Sequence, residues 1–458
     1  MLLVSAIGAF LLVRYVGDDL QPPVEAPVSV VNLTAATPNV LPRVLLTLVV
    51  VLLASRIVGW LAARLGQPPV IGEVIAGIAL GPSLLGRFAP DASAYLFASF
   101  VTQPLYTLAQ VGVVLFLFLV GLELDTRLLK TQSHQSVVIS HASIVVPFML
   151  GSVTALWVYP RFSLRNVPFD VFAMFMGVSM SVTAFPVLAR ILTDRGITRT
   201  NIGVITLACA AVDDVTAWCL LAMIVGFASG DASGALPTLG LTCAYLVAML
   251  FVVRPLITRV ANKLEPMLRL SKGTVATVLV CLLLSALLTE AIGVHALFGA
   301  FALGAIIPHE SRLARDLASK LEDVTVLLFL PTYFAYTGLR TEIGLVEGAQ
   351  QWLVCGGLVL VATAGKFGGS AVAGRLVGLS WDDASRVGVL MNTRGLMELV
   401  VLNLGLDLGV LSPQLFTMLV IMAVVTTMMT GPGLSLLDRH ARLRVVRDTP
   451  RLADRADA

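Results

Sequence analysis

Two neighbouring carboxylates lie in an apolar stretch, LACAAVDDVTAW, at residues 207–218. Asp213 and Asp214 are near the middle of residues 202–225, a segment long enough to cross a bilayer as one helix. Charged side chains at that depth are unfavourable unless they face a water-filled path or a partner, and they usually mark ion or proton pathways. The alternative is a structural pair that is satisfied by hydrogen bonds from other helices. The two acids therefore predict a site that binds a cation, a proton or both.

The sequence also places a lysine deep inside an apolar segment. Lys366 belongs to the stretch ATAGKFGG at residues 362–369, far from either end of its predicted span. A buried lysine needs a negative partner, without which it loses its proton, and Asp213 and Asp214 are the best candidates. A lysine that snorkels to the interface or is solvated by internal water is the alternative. We expect an ion pair between Lys366 and one of the two acids.

The span before the two acids contains a proline that interrupts its helix. The stretch is SMSVTAFP at residues 179–186, and Pro186 lacks the amide hydrogen that a continuous helix needs. Ser181 and Thr183 can bond to the carbonyl groups that such a break frees, as the bilayer interior requires. An ordinary proline kink is the alternative interpretation.

A second irregular span contains MNTRGLME at residues 391–398. Asn392, Thr393 and Gly395 suit a break that lines a cavity better than they suit a lipid-facing helix. The half-helix ends at such a break carry partial charges. We expect Arg394 or Glu398 to compensate these charges rather than to contact the transported ion.

Composition assigns the chain to the polytopic membrane proteins. Of its 458 residues, 57% are hydrophobic and 13% are charged, whereas soluble domains carry about a quarter charged residues. Residues 1–40 hold a short apolar segment, either signal-like or a weak extra span, and then an extracytoplasmic linker. The transmembrane domain covers residues 41–433, and residues 434–458 form a short tail. We predict about 13 transmembrane helices, at 41–61, 69–86, 104–124, 136–159, 169–192, 202–228, 234–254, 274–291, 293–308, 324–340, 351–373, 385–408 and 411–433.

The basic residues define an orientation and an internal symmetry. Lysine and arginine concentrate in alternate loops, which marks that side as cytoplasmic and places the C-terminal tail in the cytoplasm. The five spans at about 69–228 start on the cytoplasmic side, and the five at about 293–433 start on the outer side. Each irregular span is the fourth of its unit, and interrupted helices at corresponding positions indicate the binding site of an inverted-repeat transporter. The pattern predicts an all-α membrane protein with two inverted five-helix repeats.

Six stretches together resemble the monovalent cation:proton antiporter-2 family. They are GQPPVIGEVIAGIALGPSLLG, VGLELD, SVTAFPVLARIL, AAVDDVTAW, GKFGG and MNTRGLMELVVLNLG, at residues 66–86, 120–125, 181–192, 210–218, 365–369 and 391–405. The resemblance covers residues 41–432. The stretches at 181–192 and 391–405 are most similar to those of the branch of plant and bacterial cation/proton exchangers.

The resemblance implies the sodium/proton antiporter fold, in which two discontinuous helices cross beside the paired acids. It implies Asp214 as the main cation- and proton-binding carboxylate, Asp213 as its neighbour, and Lys366 as the lysine that pairs with them. The transported species are then Na⁺ or K⁺ and protons, and an Asp-Asp pair with this lysine implies electrogenic exchange. A homodimer in a bacterial inner membrane is expected.

No cofactor, resident metal or nucleic-acid partner is expected. No GxGxxG motif marks the nucleotide-binding regulatory domain that some potassium-efflux relatives carry, so we expect none in this chain.

Other functions remain as alternatives at this point. A cation channel or an electroneutral exchanger of the same fold would use the same polar residues. An intramembrane aspartyl protease is disfavoured, because adjacent residues on a helix point about 100° apart and do not clamp a peptide between them. We therefore predict a transporter rather than an enzyme.

Overall fold

The computed structural model describes Leu11, Arg14, Tyr15 and residues 40–123, 134–198, 200–228, 232–264 and 271–456. Every regular element in these ranges is a helix. Most of the predicted N-terminal segment and linker at residues 1–40 therefore lies outside the described residues. At its edge, the Arg14 guanidinium lies 3.6 Å from the Asp170 carboxylate.

A helix lies at each of the thirteen predicted spans. In chain order the main helices are Val40–Arg64, Pro69–Leu80, Ser99–Glu123, His134–Phe162, Phe169–Ser181, Phe185–Asp194, Asn201–Ala228, Ala232–Ala248, Arg254–Leu264, Lys272–Ile292, Ala296–Ile306, Arg312–Val324, Leu330–Leu339, Gly348–Thr363, Gly369–Leu376, Trp381–Met391, Leu396–Asp407 and Pro413–Ala456.

Ten of the described helical segments are long and apolar enough to cross a membrane, or eleven if one bent pair is counted as a span. The apolar helix Ala296–Ile306 has only 11 residues. Arg312–Val324, which leads into the span predicted at 324–340, is strongly amphipathic. The chain is thus a multi-pass membrane protein. The sequence predicted 13 transmembrane helices, which is more than the ten or eleven that helix length and composition support in the described residues.

Most of the helices form two sets, each packed mainly within itself, and Ala232–Ala248 and Arg254–Leu264 connect them along the chain. The set that we call the core bundle contains His134–Phe162, the two broken helices, Asn201–Ala228, Gly348–Leu376 and the long helix Pro413–Ala456. The other set, which we call the flanking set, contains Val40–Arg64, Pro69–Leu80, Ser99–Glu123, Lys272–Ile292, Ala296–Ile306 and the helical segment 312–339.

Paired glycines in the flanking set reflect the inverted repeat. Gly77 of the first unit contacts Gly338 of the second, and Gly304 of the second unit contacts Gly121 of the first. A Cβ atom at any of these positions would overlap the backbone of the opposite helix. In both contacts the first span of one unit crosses the second span of the other unit. Both crossings therefore depend on the same close backbone approach.

The C-terminal tail continues the last span. The helix Pro413–Ala456 has 44 residues, so it includes most of residues 434–458, which the sequence predicted only as a short tail. On this helix, Asp438 accepts a hydrogen bond from Arg386 at 3.1 Å and lies 3.8 Å from Arg195. Both arginines belong to the broken helices, so the start of the tail is attached to the core bundle.

Candidate ion site

The two predicted breaks lie against each other in the core bundle. The first broken helix stops at Ser181 and resumes at Phe185, and the second stops at Met391 and resumes at Leu396 with a bend of 44°. The amide of Ala184 donates to the carbonyl of Thr393 at 3.1 Å, so the two extended segments are joined directly. The discontinuous helices therefore cross at their interruptions.

Two residues show how the sequence permits this crossing. Pro186 lies in the first turn of Phe185–Asp194, where a helix has no use for the missing amide hydrogen. Gly395 faces the first break, because a Cβ atom there would lie 2.9 Å from a methyl group of Val187 and 3.5 Å from the Cβ of Ala184. A larger residue at position 395 would therefore push the two breaks apart.

A buried arginine covers the carboxyl end of the first half-helix. Arg394 is fully buried, and its guanidinium donates to the carbonyls of Ser179 and Met180 at 2.8 and 2.7 Å. Its Nη1 atom also lies 3.2 Å from Glu398, which is equally buried in the first turn of Leu396–Asp407. The cation thus faces a negative helix end and the carboxylate lies near a positive one, as the helix dipole favours.

Other polar residues at the breaks bond to the backbone. The hydroxyl of Ser181 donates to the carbonyl of Gly177 at 2.6 Å, one turn earlier in its own helix. Thr393 contacts Thr430, and the amide of Arg394 donates to the hydroxyl of Thr427 at 3.2 Å. These two threonines belong to Pro413–Ala456, so the second break is held against the C-terminal helix.

Lys366 pairs with Asp213 rather than with Asp214. The lysine Nζ lies 2.8 Å from Asp213 Oδ2, and both side chains are fully buried. Lys366 lies in a single π-helical turn, Ala364–Gly368, within its span, and such turns are frequent at functional sites. The hydroxyl of Thr183, in the first break, accepts from Lys366 Nζ and donates to Asp213 Oδ2 at 2.8 Å. The ion pair and the first break therefore form one hydrogen-bonded group.

Two serines complete the surroundings of Asp213, and the sequence analysis did not identify them. Ser143 contacts both carboxylate oxygens, at 2.9 and 2.8 Å, and Ser140 contacts Oδ1 at 3.3 Å. Both lie on His134–Phe162, where Ser136 adds a third buried serine one turn earlier. Positions 136, 140 and 143 fall on one helix face. A row of hydroxyl groups facing the bundle was the signal available in the sequence.

Asp214 has the opposite environment. It is 1% exposed, like Asp213, but within the described part of the chain neither of its oxygens completes a hydrogen bond of standard geometry. The backbone amide of Phe185, at the amino end of the second half-helix, is close enough to interact with it. The side-chain oxygen of Asn392, in the second break, is also buried without a donor. Carboxylate and amide oxygens are each ligands that a hard cation accepts, and the acid can instead take a proton.

Direct side-chain contacts lie at the far end of the second broken helix. Asn403, in the second broken helix, donates to Tyr333 and Thr337 of the flanking segment 312–339 at 2.9 and 2.8 Å. Arg340 follows that segment, and its Nη1 atom lies 2.6 Å from Asp407 and 3.3 Å from the Asn403 side-chain oxygen. These contacts join the flanking set to the core bundle.

The opposite side of the bundle contains a cavity. It has a volume of about 410 Å³ and is lined by residues that include Arg195, Asn201, Arg386, Leu390 and Asp438. Leu390 stands two residues before Asn392, so the cavity extends from the basic side of the protein towards the second break.

Comparisons with known proteins agree on one family. The model of the transmembrane sodium/hydrogen exchanger family matches residues 31–438. The Na⁺/H⁺ antiporter NhaS4 of Synechocystis is 44% identical over 397 residues, which are 86% of this chain and 97% of that protein. Cation/H⁺ antiporter 17 of Arabidopsis thaliana is 40% identical over 90% of this chain, and K⁺/H⁺ antiporter 1 of Saccharomyces cerevisiae is 32% identical over 83%. This chain spans only 51% and 45% of those two longer proteins.

The fold matches a solved antiporter structure. The sodium proton antiporter MjNhaP1 of Methanocaldococcus jannaschii superimposes with a TM-score of 0.63 at 15% sequence identity, over 87% of this chain and 97% of that one. The identity is low, so this match concerns the arrangement of the helices and not the site residues. It confirms the predicted antiporter-like fold.

Proposed function

Because the chain belongs to the transmembrane sodium/hydrogen exchanger family, we propose that it is a secondary transporter that exchanges a monovalent cation, Na⁺ or K⁺, for protons by alternating access. The observation that carries this proposal is the contrast between the two adjacent acids. Asp213 accepts hydrogen bonds and an ion pair, whereas Asp214 is buried beside the first break, and among the described residues neither of its oxygens completes a hydrogen bond of standard geometry. An acid kept free at that position is available to a mobile ion.

The exchange rests on competitive occupancy of Asp214. With access to one side of the membrane, the carboxylate binds either a cation or a proton, and neither can bind while the other is present. Asn392 Oδ1 and the carbonyl groups freed at the two breaks supply further oxygen ligands for a dehydrated cation. The cation is the substrate of this exchange.

Electrogenic exchange follows from the charges of the site. Asp213, Asp214 and Lys366 carry a net charge of −1 when all three are ionised. A cation at Asp214 opposes the ammonium group of Lys366 and favours release of a second proton from the pair that Lys366 forms with Asp213. Two protons would then cross for one monovalent cation, and one net charge would move in each cycle.

Alternating access would move the core bundle against the flanking set. The cavity on the basic side and the closed outer side correspond to a state that faces inwards with the ion site sealed. Transport to the outer state requires the Arg340–Asp407 and Asn403 contacts to separate. We place the protein in a bacterial inner membrane as a homodimer with a cytoplasmic C-terminus, in line with its basic loops and its resemblance to the antiporters.

The decisive test compares three purified proteins in proteoliposomes that contain a pH-sensitive dye. Under an acid-inside gradient, we expect Na⁺, K⁺ or Li⁺ to drive proton efflux in the wild type. Asp214→Asn should abolish this efflux, because an amide neither carries a proton nor neutralises a cation. Asp170→Asn is the matched control, since Asp170 lies in the first turn of Phe169–Ser181 and away from the site. Normal exchange by a folded Asp214→Asn protein would refute Asp214 as the carrier.

A further inference from the structure

A proline interrupts the hydrogen bonds of the C-terminal helix close to the second break. Pro432 lies within Pro413–Ala456, in the sequence GPG at residues 431–433. Because proline has no amide hydrogen, the carbonyl of Met428, four residues earlier, lacks the donor that a continuous helix supplies. The side-chain amide of Gln67 donates to this carbonyl at 3.2 Å. A residue between two helices of the flanking set thus replaces a donor that a helix of the core bundle lacks.

Gln67 is held in a fixed position by the backbone on both sides of it. The preceding helix ends in a left-handed glycine, Gly66, with a φ of 71°, and the amide of Gln67 donates back to the carbonyl of Ala62 at 2.9 Å. These are the features of a standard C-terminal helix cap. Two prolines follow, and a residue before proline is restricted to extended conformations. The side chain of Gln67 therefore starts from a rigid point and moves with the flanking set.

The same part of the C-terminal helix is bound to both broken helices. At the second break, the hydroxyl of Thr427 accepts from the amide of Arg394 at 3.2 Å. Arg195, at the end of the first broken helix, donates to the carbonyl of Gly431 at 2.8 Å. A Cβ atom at Gly431 would lie 3.5 Å from the carbonyl oxygen of Gly66 and 3.9 Å from the guanidinium of Arg195. This glycine therefore lies between the flanking set and the first broken helix.

Beside this part of the helix, the two sets meet across a small and mostly apolar gap. The gap has a volume of about 20 Å³ and is lined by residues that include Val70 and Val74 of the flanking set, Val424 of the C-terminal helix and Gly395 of the second break. Apolar contacts are not directional, so such surfaces can shift against each other. A hydrogen bond depends on distance and angle. The bond from Gln67 therefore breaks when the two sets move.

We propose that Gln67 is a positioning residue that acts as a latch: its hydrogen bond to the Met428 carbonyl holds the flanking set against the core bundle, and this bond breaks in each transport cycle. The inference rests on the proposed alternating access and identifies one contact that opposes it. Pro432 is part of the latch, because it leaves the carbonyl free for a partner outside the helix. Gln67 does not touch the transported ion.

The chain offers a matched control within one set. The side-chain amide of Gln135 donates to the carbonyl of Val377 at 3.1 Å, and both residues lie on helices of the core bundle or directly after them. Gln135→Leu therefore removes the same kind of bond without removing a contact between the sets. Pro432→Ala gives a second comparison, because an amide at position 432 can bond to the Met428 carbonyl within the helix and makes Gln67 dispensable.

Hydrogen–deuterium exchange of the purified proteins tests whether the latch holds. In Gln67→Leu we expect exchange to rise about fivefold at residues 424–431, the effect of losing one hydrogen bond on a local opening equilibrium. Gln135→Leu should leave this segment unchanged. In a Pro432→Ala background, Gln67→Leu should add less than about twofold, because the helix already satisfies the carbonyl. An equal rise in both backgrounds, or no rise in the natural one, would overturn the latch.

The rate of transport separates a latch from a bond that only supports the fold. In proteoliposomes, Gln67→Leu should raise the maximal rate of Na⁺-driven proton efflux about fivefold, because the bond adds to the barrier of the conformational step. Gln135→Leu should leave this rate unchanged. A maximal rate in Gln67→Leu that equals the wild-type rate or falls below it would overturn the latch, even if hydrogen exchange rises.

The outcomes distinguish this inference from the proposed function. A wild type without cation-driven proton efflux overturns the antiport and the role of Gln67 in it, whereas a wild type that exchanges, with equal rates in Gln67→Leu and Gln135→Leu, overturns only the latch. If Gln67→Leu does not fold, Gln67→Glu replaces it, since an ionised carboxylate of the same shape has no hydrogen to donate. Wild-type hydrogen exchange at residues 424–431 in that variant would overturn the latch equally.

Discussion

The ion pair between Arg394 and Glu398 gives the sharpest prediction for stability. Arg394→Met leaves a buried acid without its partner, and breaking a buried ion pair in this way costs about 3–5 kcal/mol. It also leaves the carbonyls of Ser179 and Met180 without their charged donors, at about 1–3 kcal/mol each. Glu398 can take up a proton, which offsets part of the first loss. We therefore expect a total loss of about 4 kcal/mol in the free energy of unfolding.

A second variant divides this loss into its two parts. Arg394→Met combined with Glu398→Met removes the stranded acid as well, so the double variant should regain about 2 kcal/mol relative to Arg394→Met. The remaining loss of stability belongs to the carboxyl end of the first half-helix, where the carbonyls of Ser179 and Met180 still lack their donor. Met397→Leu, a buried change in the same half-helix, serves as the control and should cost less than about 1.5 kcal/mol.

The assay is unfolding by sodium dodecyl sulfate in mixed micelles, followed by circular dichroism. Each variant is first checked for a single peak in size-exclusion chromatography. A loss below about 1 kcal/mol in Arg394→Met would mean that the half-helix end does not depend on this cation. A double variant no more stable than the single one would show that Glu398 is not stranded when Arg394 is removed.

Four further predictions concern transport. With Na⁺ as the substrate, exchange should respond strongly to a membrane potential set with valinomycin, because one net charge couples to the potential at about 2.3 kcal/mol per 100 mV. A rate and an endpoint that do not depend on the potential would show one-for-one exchange. The apparent KM for the cation should fall as the pH rises, by up to about tenfold per unit while protons occupy Asp214, and a KM independent of pH would contradict competition for one carboxylate. Gly395→Leu should weaken cation affinity about tenfold by forcing the breaks apart. Pro186→Ala should change the affinity little, since Pro186 begins a half-helix. Equal cation affinities in the two variants would show that the crossing of the breaks does not shape the ion site. Asn403→Leu should raise hydrogen–deuterium exchange about fivefold around its helix by weakening the outer closure, and unchanged protection would show that these bonds do not hold that side shut.

Helices and breaks could be read from the sequence because both follow from local chemistry. Apolar length predicts a membrane helix, and a proline or a polar cluster within that length predicts an interruption. The same reasoning indicated that Lys366 needs an acid. It did not choose between Asp213 and Asp214, because adjacent residues point about 100° apart and the choice depends on how one helix is rotated against its neighbours. The functional roles given to the two acids remain predictions.

The residues that sequence reasoning missed act between distant helices. Ser140 and Ser143 form a visible polar face, yet a serine hydroxyl in a membrane helix often bonds only to the backbone of its own helix, as that of Ser179 does. Asn403 bonds to Tyr333 across 70 positions of the chain, and neither residue type is unusual at a span end. Such partners become recognisable only when the packing of the two helix sets is known.

The C-terminal helix has a mechanical consequence. With 44 residues it measures about 66 Å, and it contacts the second break through Thr427 and the first half of the second broken helix through Asp438. A helix attached at two points should follow the body to which it is fixed, and its far end would then turn a small tilt into a larger displacement. A fluorophore on the tail, paired with one on Val40–Arg64, would therefore act as a pointer that reads out each conformational step from outside the membrane.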